Sequence, residues 1–414
     1  MKADLIITGC SELHTLSGSD GPRTGREMMD TGCIEGGAVA VKDGYVLDVG
    51  TESHITGKYR GEREVDVEGR TVIPGFVDPH THLVFAGSRE DELVMKIEGK
   101  TYMEILGAGG GILRTVRNTR KASREQLMEE MRARMDRMLA HGTTTAEAKS
   151  GYGLDLENEI KCLEVIRDID HPLELVPTYM GAHALPPEFD EHSEYIDYCC
   201  DTVLPEIVKR GLAEFCDIFC EKGVFHAEDS MRLLIRAAEL GMKIKVHADE
   251  IENLGCSTMA AELGAVSCEH LVKSGPGDIE AMAKNGVIGI LLPGTPFMLM
   301  DNEYSPAREM IGRGMPVALA TDLNPNCWTE SMQMVITLAC LQMKMHPNEA
   351  LTASTHNAAR AIGRNDIGSL VPGKKADMVV LDVPNLMHLP YHFGVNHAYM
   401  VFKEGVQIRP PKTY

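Results

Sequence analysis

No Cys-x-x-Cys pair occurs among the eleven cysteines of this 414-residue chain, which argues against a zinc-thiolate cluster and against a disulfide framework. The scattered thiols read as reduced thiols of a cytoplasmic protein. No apolar run approaches the ~20 residues that span a bilayer. The opening MKADLIITGC sets a short apolar patch ahead of Cys10. That patch falls below the ~7–15 residues of a signal-peptide core, and it reads as a first β-strand. Neither a Gly-x-Gly-x-x-Gly nor a Gly-Lys-Ser/Thr phosphate loop is present, and GAGGGI (107–112), with no lysine after it, reads as a flexible loop. Basic residues are the minority, 41 Lys and Arg against 61 Asp and Glu, for a net charge of −20. Such a surface argues against nucleic acid and against anionic membranes as partners. An anionic substrate would need a local cation to hold it.

What is present is the composition of a soluble globular protein, 43% hydrophobic and 25% charged. The length favours one large domain with a smaller attachment. Residues 1–70 read as short alternating strands with glycine turns, in ADLIITG, GGAVAVKDGYVLDVG and EREVDVEGRTVIPG. Residues 366–414 repeat that character in KKADMVVLDV and AYMVFKEGVQIRP. Neither end can bury a face alone, so the two are expected to pair into one small β-domain. Between them, over 71–365, amphipathic helices alternate with short apolar strands, as in REQLMEEMRARMDRMLAHG before TTTAEAKSGYG and SMRLLIRAAELG before MKIKVHADE. Repeated helix–strand units predict a parallel sheet, and this many favour a closed TIM-like (β/α)8 barrel. The fold class expected is therefore α/β, a (β/α)8 barrel with a small β-sandwich domain built from both termini.

Polar residues just after barrel strands point into one shared site. His80 and His82 end VIPGFVDPHTH, His247 and Glu250 sit in KIKVHADE, His270 in AVSCEHL and Asp322 in VALATDLN. The loop segments AEAKSGYG and TYMGAHALPP add Lys149, Tyr152 and His183. Residues i and i+2 of an extended segment share a face, so both imidazoles of His80 and His82 can reach one cation. A lone His-x-His is weak evidence. Further histidines and an aspartate at later strand ends make a donor set that suits a borderline divalent ion with room for water. A charge such as Asp322 after the apolar VALAT also needs a partner.

These residues resemble the amidohydrolase superfamily, whose markers are a His-x-His on the first strand, a histidine after the fifth, another after the sixth and an aspartate after the eighth. The closer resemblance is to the imidazolonepropionase family. It is carried by DPHTHLVFAGSRE, GGGILRTVRNTR, GTTTAEAKSGYGLD, MGAHALPPE, VHADEI, LLPGTPF, ATDLNP and PYHFGVNH, from about residue 70 to 400. It implies hydrolytic opening of 4-imidazolone-5-propanoate to N-formimidoyl-L-glutamate, with His80, His82, His247 and Asp322 as ligands of one metal ion per chain. It also implies substrate contacts at Arg89, Tyr102, Tyr152, His183 and Glu250, and at the loop residues Asn324, Asn326 and Cys327. That loop departs from the family pattern. Many members read Asn-Pro-Gly-Ser/Thr where this chain has NPNCW, and the thiol of Cys327 is a weak hydrogen-bond partner.

The expected chemistry follows. Asp322 is a metal ligand and a candidate base, His270 a donor to the oxyanion, and Glu250 a proton relay to the leaving nitrogen. Arg89 can bind the propionate in bidentate fashion, with Tyr102 and Tyr152 as added donors. Lys149 reads as structural rather than as a carboxylated bridge between two metals. Zinc and iron both accept these ligands, and the resemblance suggests a homodimer. Two other readings compete: a mononuclear deaminase of another heterocycle, and a non-catalytic scaffold, which would be expected to have lost at least one ligand.

Overall fold

Buried strands and one-sided helices alternate through the middle of the chain, and that alternation fixes its architecture. The computed structural model describes residues 1–100, 104–105 and 109–409. Eight parallel strands follow one another in chain order around a single sheet: Phe76–Asp78, Thr143–Lys149, Glu174–Ala182, Phe215–Cys220, Lys243–Ala248, Ser267–His270, Ile288–Leu291 and Val317–Leu319. The first and last close the barrel through a parallel bridge between Thr81 and Leu323, with His82 N–H donating to Leu323 O at 2.9 Å. Strands with both faces covered lack polar alternation, and every residue of Thr143–Lys149 is buried.

The outer helices bury one stripe each. Arg124–Ala140 starts at Ser123, whose hydroxyl accepts the N–H of Gln126 at 3.1 Å, and turns Leu127, Met131, Met135 and Met138 inward. Those positions are separated by four, four and three residues, the spacing of one helical face. Methionine is frequent in this layer because its unbranched thioether fits irregular gaps.

The two chain ends form two sheets. Lys2–Thr8 lies between Gly37–Lys42 and Arg60–Asp66, with Tyr45–Thr51 at the edge. The opening patch is thus a strand, as its length suggested. The second sheet joins Glu12–His14, Cys33–Glu35 and Thr71–Pro74 to the C-terminal strands Met378–Leu381, Ala398–Lys403 and Val406–Arg409. Leu5, Ile7, Val39, Val41, Val72, Met378, Val380 and Phe402 fill the space between the sheets.

Four expectations need correction or limits. The terminal sheet runs past residue 70: Thr71–Pro74 pairs antiparallel with Met378–Leu381, because Val72 faces the sandwich core. Residues 15–31 leave the sandwich and dock on the barrel, where Asn357 Nδ2 donates to Arg23 O and to Val317 O at 2.9 Å each. Thr178–Ala182 of TYMGAHALPP, read as loop, lies in the third strand, where it is buried and paired with the fourth. Cys220 and Cys256 form a disulfide, Cα atoms 6.1 Å apart, against the reading of all thiols as reduced. The barrel brings the end of its fourth strand beside the helix after its fifth, a closeness that cysteine spacing does not record. Of GAGGGI, residues 107 and 108 lie outside the described residues; Gly111 precedes the helix Ile112–Lys121.

Candidate active site

Loops at the C-terminal ends of the strands share one face of the barrel, and the polar residues singled out above converge there. The imidazole centroid of His80 lies 5.3 Å from that of His82, 4.5 Å from that of His247 and 5.6 Å from that of His270. Asp322 Oδ1 stands 3.3 Å from His80 Nε2 and 3.6 Å from His82 Nε2. Donor atoms of His80, His82 and Asp322 fall within 4.8 Å of one another, as do those of His80, His247 and His270. These are two overlapping triads that share His80, and all five side chains are buried. Asp322 (φ +52°) and His270 (φ +71°) hold left-handed backbone, which costs a non-glycine residue about 1–2 kcal/mol. Strain of this kind, paid where side chains must be aimed, clusters at functional sites.

The donor set fits a metal ion. His247 Nε2 is buried and makes no hydrogen bond, while His80 Nε2 and His82 Nε2 face Asp322 Oδ1 at 3.3 and 3.6 Å; an orphaned buried nitrogen costs on the order of 1–3 kcal/mol, which a shared cation would remove. Burial and the neighbouring imidazoles push His82 and His247 well below the ordinary histidine range, leaving neutral lone pairs of the kind a metal needs. Burial raises the carboxyl of Asp322, but the hydrogen bond and charge of His80 outweigh it and hold the group well below the usual carboxylate range. Thr295 Oγ1 donates to Asp322 Oδ2 at 2.6 Å and fixes its rotation.

A layer of buried charge lies directly under this cluster. Glu269 Oε2 is 2.7 Å from His80 Nδ1, and Asp217 Oδ2 is 3.0 Å from His247 Nδ1. With Nδ1 turned to a carboxylate, Nε2 is the atom left for a metal. Lys149 Nζ donates to Glu147 Oε1 and Asp217 Oδ2 at 2.7 Å each and sits 3.2 Å from Glu269 Oε2. Lys245 Nζ lies 3.2 Å from Glu269 Oε1 and donates to Pro79 O at 3.0 Å. Burial opposes ionisation of Glu269, but the charges of Lys149 and Lys245 hold it well below the usual range. Sequence reasoning missed Asp217 and Glu269. Their signal was a lone acid inside an apolar strand, FCDIFC and VSCEH, which needs a buried partner.

The remaining residues line the approach. His183 Nδ1 lies 3.0 Å from Gly151 O; as the donor there, it leaves Nε2 as an acceptor. Burial holds this imidazole down at about 3. His183 stacks on His82 at 4.8 Å, and the Tyr152 ring lies 5.2 Å from His183. Glu250 Oε2 is 3.7 Å from His270 Nδ1, and burial, with the charges of Asp322 and Glu221, pushes Glu250 up to about 8. Glu221, also missed from sequence, accepts the backbone N–H groups of Glu250, Ile251 and Glu252 at 3.1, 2.9 and 3.1 Å and so sets that loop.

Arg89, with only a tenth of its side chain exposed, lies 3.5 Å from Glu92 Oε2. Tyr102 lies outside the described residues. The loop after the eighth strand is tied to itself: Asn324 Nδ2 donates to Asp322 O at 2.8 Å, and Asn324 Oδ1 accepts from Asn326 N at 2.7 Å and Cys327 N at 3.1 Å. The Cys327 thiol points to Thr321 O at 3.7 Å. The Asn326 side chain instead reaches across to Lys96.

A barrel carrying such a centre defines a class. The sequence model of the amidohydrolase family matches residues 71–408, and the chain belongs to that family. Among curated relatives, the imidazolonepropionase of Alkaliphilus metalliredigens is 50% identical over 98% of each chain. That of Geobacillus kaustophilus is 49% identical over 99% of each. Among solved structures, a zinc-bound adenosine deaminase from Xanthomonas campestris superposes with a TM-score of 0.75 at 18% identity, covering 99% of this chain and 94% of the other. A 5-methylcytosine deaminase from Klebsiella pneumoniae gives 0.76 at 16%, covering 99% and 98%. At those identities the structures speak for the fold alone.

Proposed function

We propose that this chain hydrolyses the cyclic amide bond of 4-imidazolone-5-propanoate to give N-formimidoyl-L-glutamate, a step of histidine degradation. The observation that carries the reading is half-identity to imidazolonepropionases over essentially the whole length. The intact donor cluster supports it. His80, His82, His247 and Asp322 would hold one ion, zinc or iron, which when bound supplies Lewis-acid activation of a water and of the ring carbonyl. Lys149, already bridged to Glu147 and Asp217, argues against a second ion. The same reading takes the enzyme as cytoplasmic and homodimeric, on composition and resemblance.

The protein's own groups then have distinct tasks. Asp322, ionised beside His80, accepts a proton from the attacking water at its carboxylate. His270, its imidazole pushed by burial down to about 3 and thus neutral, donates a hydrogen bond to the oxygen that gains charge. Glu250, raised to about 8, is a neutral acid at pH 7 and gives its proton to the ring nitrogen as the C–N bond breaks. His183 Nε2 accepts an N–H of the ring, Tyr152 donates a hydroxyl, and Arg89 pairs with the propionate. The product gains one OH on carbon and one H on nitrogen, the elements of the water consumed.

The test is loss of the imidazolone ultraviolet absorbance with metal-loaded protein, beside a panel of aminated purines and pyrimidines. Turnover of the imidazolone alone is expected, falling by about 10³-fold or more in Asp322→Ala. Ammonia release from a panel member with no imidazolone turnover, or full activity in the variant, would overturn the reading.

A further inference from the structure

The helix Glu90–Ile97 begins at Arg89 and carries Glu92 and Lys96 on the same face, at spacings of three and four. This face meets the loop after the eighth strand: Lys96 Nζ donates to Asn326 Oδ1 at 2.5 Å. Two cations, Arg89 and Lys96, are therefore presented together. Of the carboxylates on that face, Glu92 serves both Arg89 and, at 2.9 Å, the N–H of Gly111. Arg114, the next cation along, is paired with Asp91 at 2.7 Å. Arg89 Nε is buried and makes no hydrogen bond. A half-buried place with two positive charges and one shared counter-charge is short of an anion.

We propose that Lys96, held by Asn326, is a second cationic contact for the carboxylate of the substrate, opposite Arg89. It rests on the ring-opening reading, whose substrate carries one such carboxylate. Asn326 is then a positioning residue: its amide oxygen takes one of three ammonium protons and leaves the other two for the carboxylate. The departure from a glycine at this position thereby acquires a function. A glycine has no amide with which to hold the lysine. The burial that pushes Lys96 down, with the charge of Arg89 next in size and the same direction, agrees with two cations sharing one space. In a chain of net charge −20, a paired cation is also what lets a single side-chain carboxylate be selected against neutral analogues.

Two measurements on metal-loaded, full-length protein test this. In calorimetry, 3-(imidazol-4-yl)propanoate is expected to bind wild type at least about tenfold tighter than its amide, a preference of the size a charge-assisted pair gives. Lys96→Met should remove most of that preference, and Asn326→Gly part of it, with metal content and melting temperature held. In kinetics, Lys96→Met should raise KM for the imidazolone by about ten- to a hundredfold while kcat changes far less, the signature of lost uniform binding. Lys96→Gln serves if the methionine variant fails to fold. An unchanged carboxylate-over-amide ratio, or a fall confined to kcat, overturns the proposal. If wild type opens no imidazolone, the function reading fails, and the calorimetric ratio still decides the role of Lys96.

Discussion

His356 shows how one side chain sets a pH response away from the site. It is buried, and its Nε2 lies 2.9 Å from Gly21 O, the partner it donates to when neutral. Burial, opposed by that bond and aided by the charge of Arg360, pushes its pKa from 6.5 down to about 4. A histidine depressed in the fold binds protons first when unfolded. Its contribution is therefore whole above pH 6.5 and is lost as pH falls toward 4, about 2 kcal/mol of it by pH 5. In urea unfolding, His356→Gln, which keeps an N–H donor and cannot titrate, should lose about 2 kcal/mol less than wild type between pH 7 and pH 5. Equal losses would show that His356 does not carry this response. At this scale the sequence was legible wherever chemistry and backbone period coincide: His80 and His82 share a face because strand residues alternate. Asp217 and Glu269 showed only as lone acids within FCDIFC and VSCEH, because the histidine each one orients comes from another strand and no local pattern names it.

Barrel strands act as a set in the charged layer beneath the histidines. Lys149 on the second strand joins Glu147 beside it to Asp217 on the fourth and Glu269 on the sixth. Replacing it with methionine keeps the length and takes one cation from three carboxylates, of which Glu269 keeps Lys245 at 3.2 Å; the loss of one partner from a buried pair is worth about 3–5 kcal/mol. Lys149→Met is expected to lower the melting temperature and, by freeing Glu269 and Asp217 from their places behind His80 and His247, to weaken zinc affinity about ten- to a hundredfold. Competition against a fluorescent chelator reads the second effect; wild-type affinity in a folded variant would count against the layer's orienting role. Helix–strand alternation was plain in the sequence because each helix carries one apolar stripe. The strand at Glu174–Ala182 was partly hidden because Gly181 and the following loop weaken its pattern, and pairing with two neighbours decided it.

The whole molecule gains from whatever binds its native donor cluster and not the unfolded chain. Metal analysis should find about one ion per chain, and stripping it with a strong chelator should lower the melting temperature by at least about 3 °C, restored by zinc or iron. A melting curve indifferent to the metal, or two ions per chain, would contradict the single-ion reading. The sequence by itself determined the helix–strand alternation, the apolar faces and the residue types at the strand ends, because these depend on period and side-chain chemistry within a few residues. It also placed Arg89 and the histidines in one reading through their resemblance to a family. Only the tertiary structure decided that Thr71–Pro74 belongs with the C-terminal strands, that Cys220 meets Cys256, and that Asn326 holds Lys96. Closing eight strands brings residues hundreds of positions apart within bonding distance, and separation along the chain carries no record of that closure.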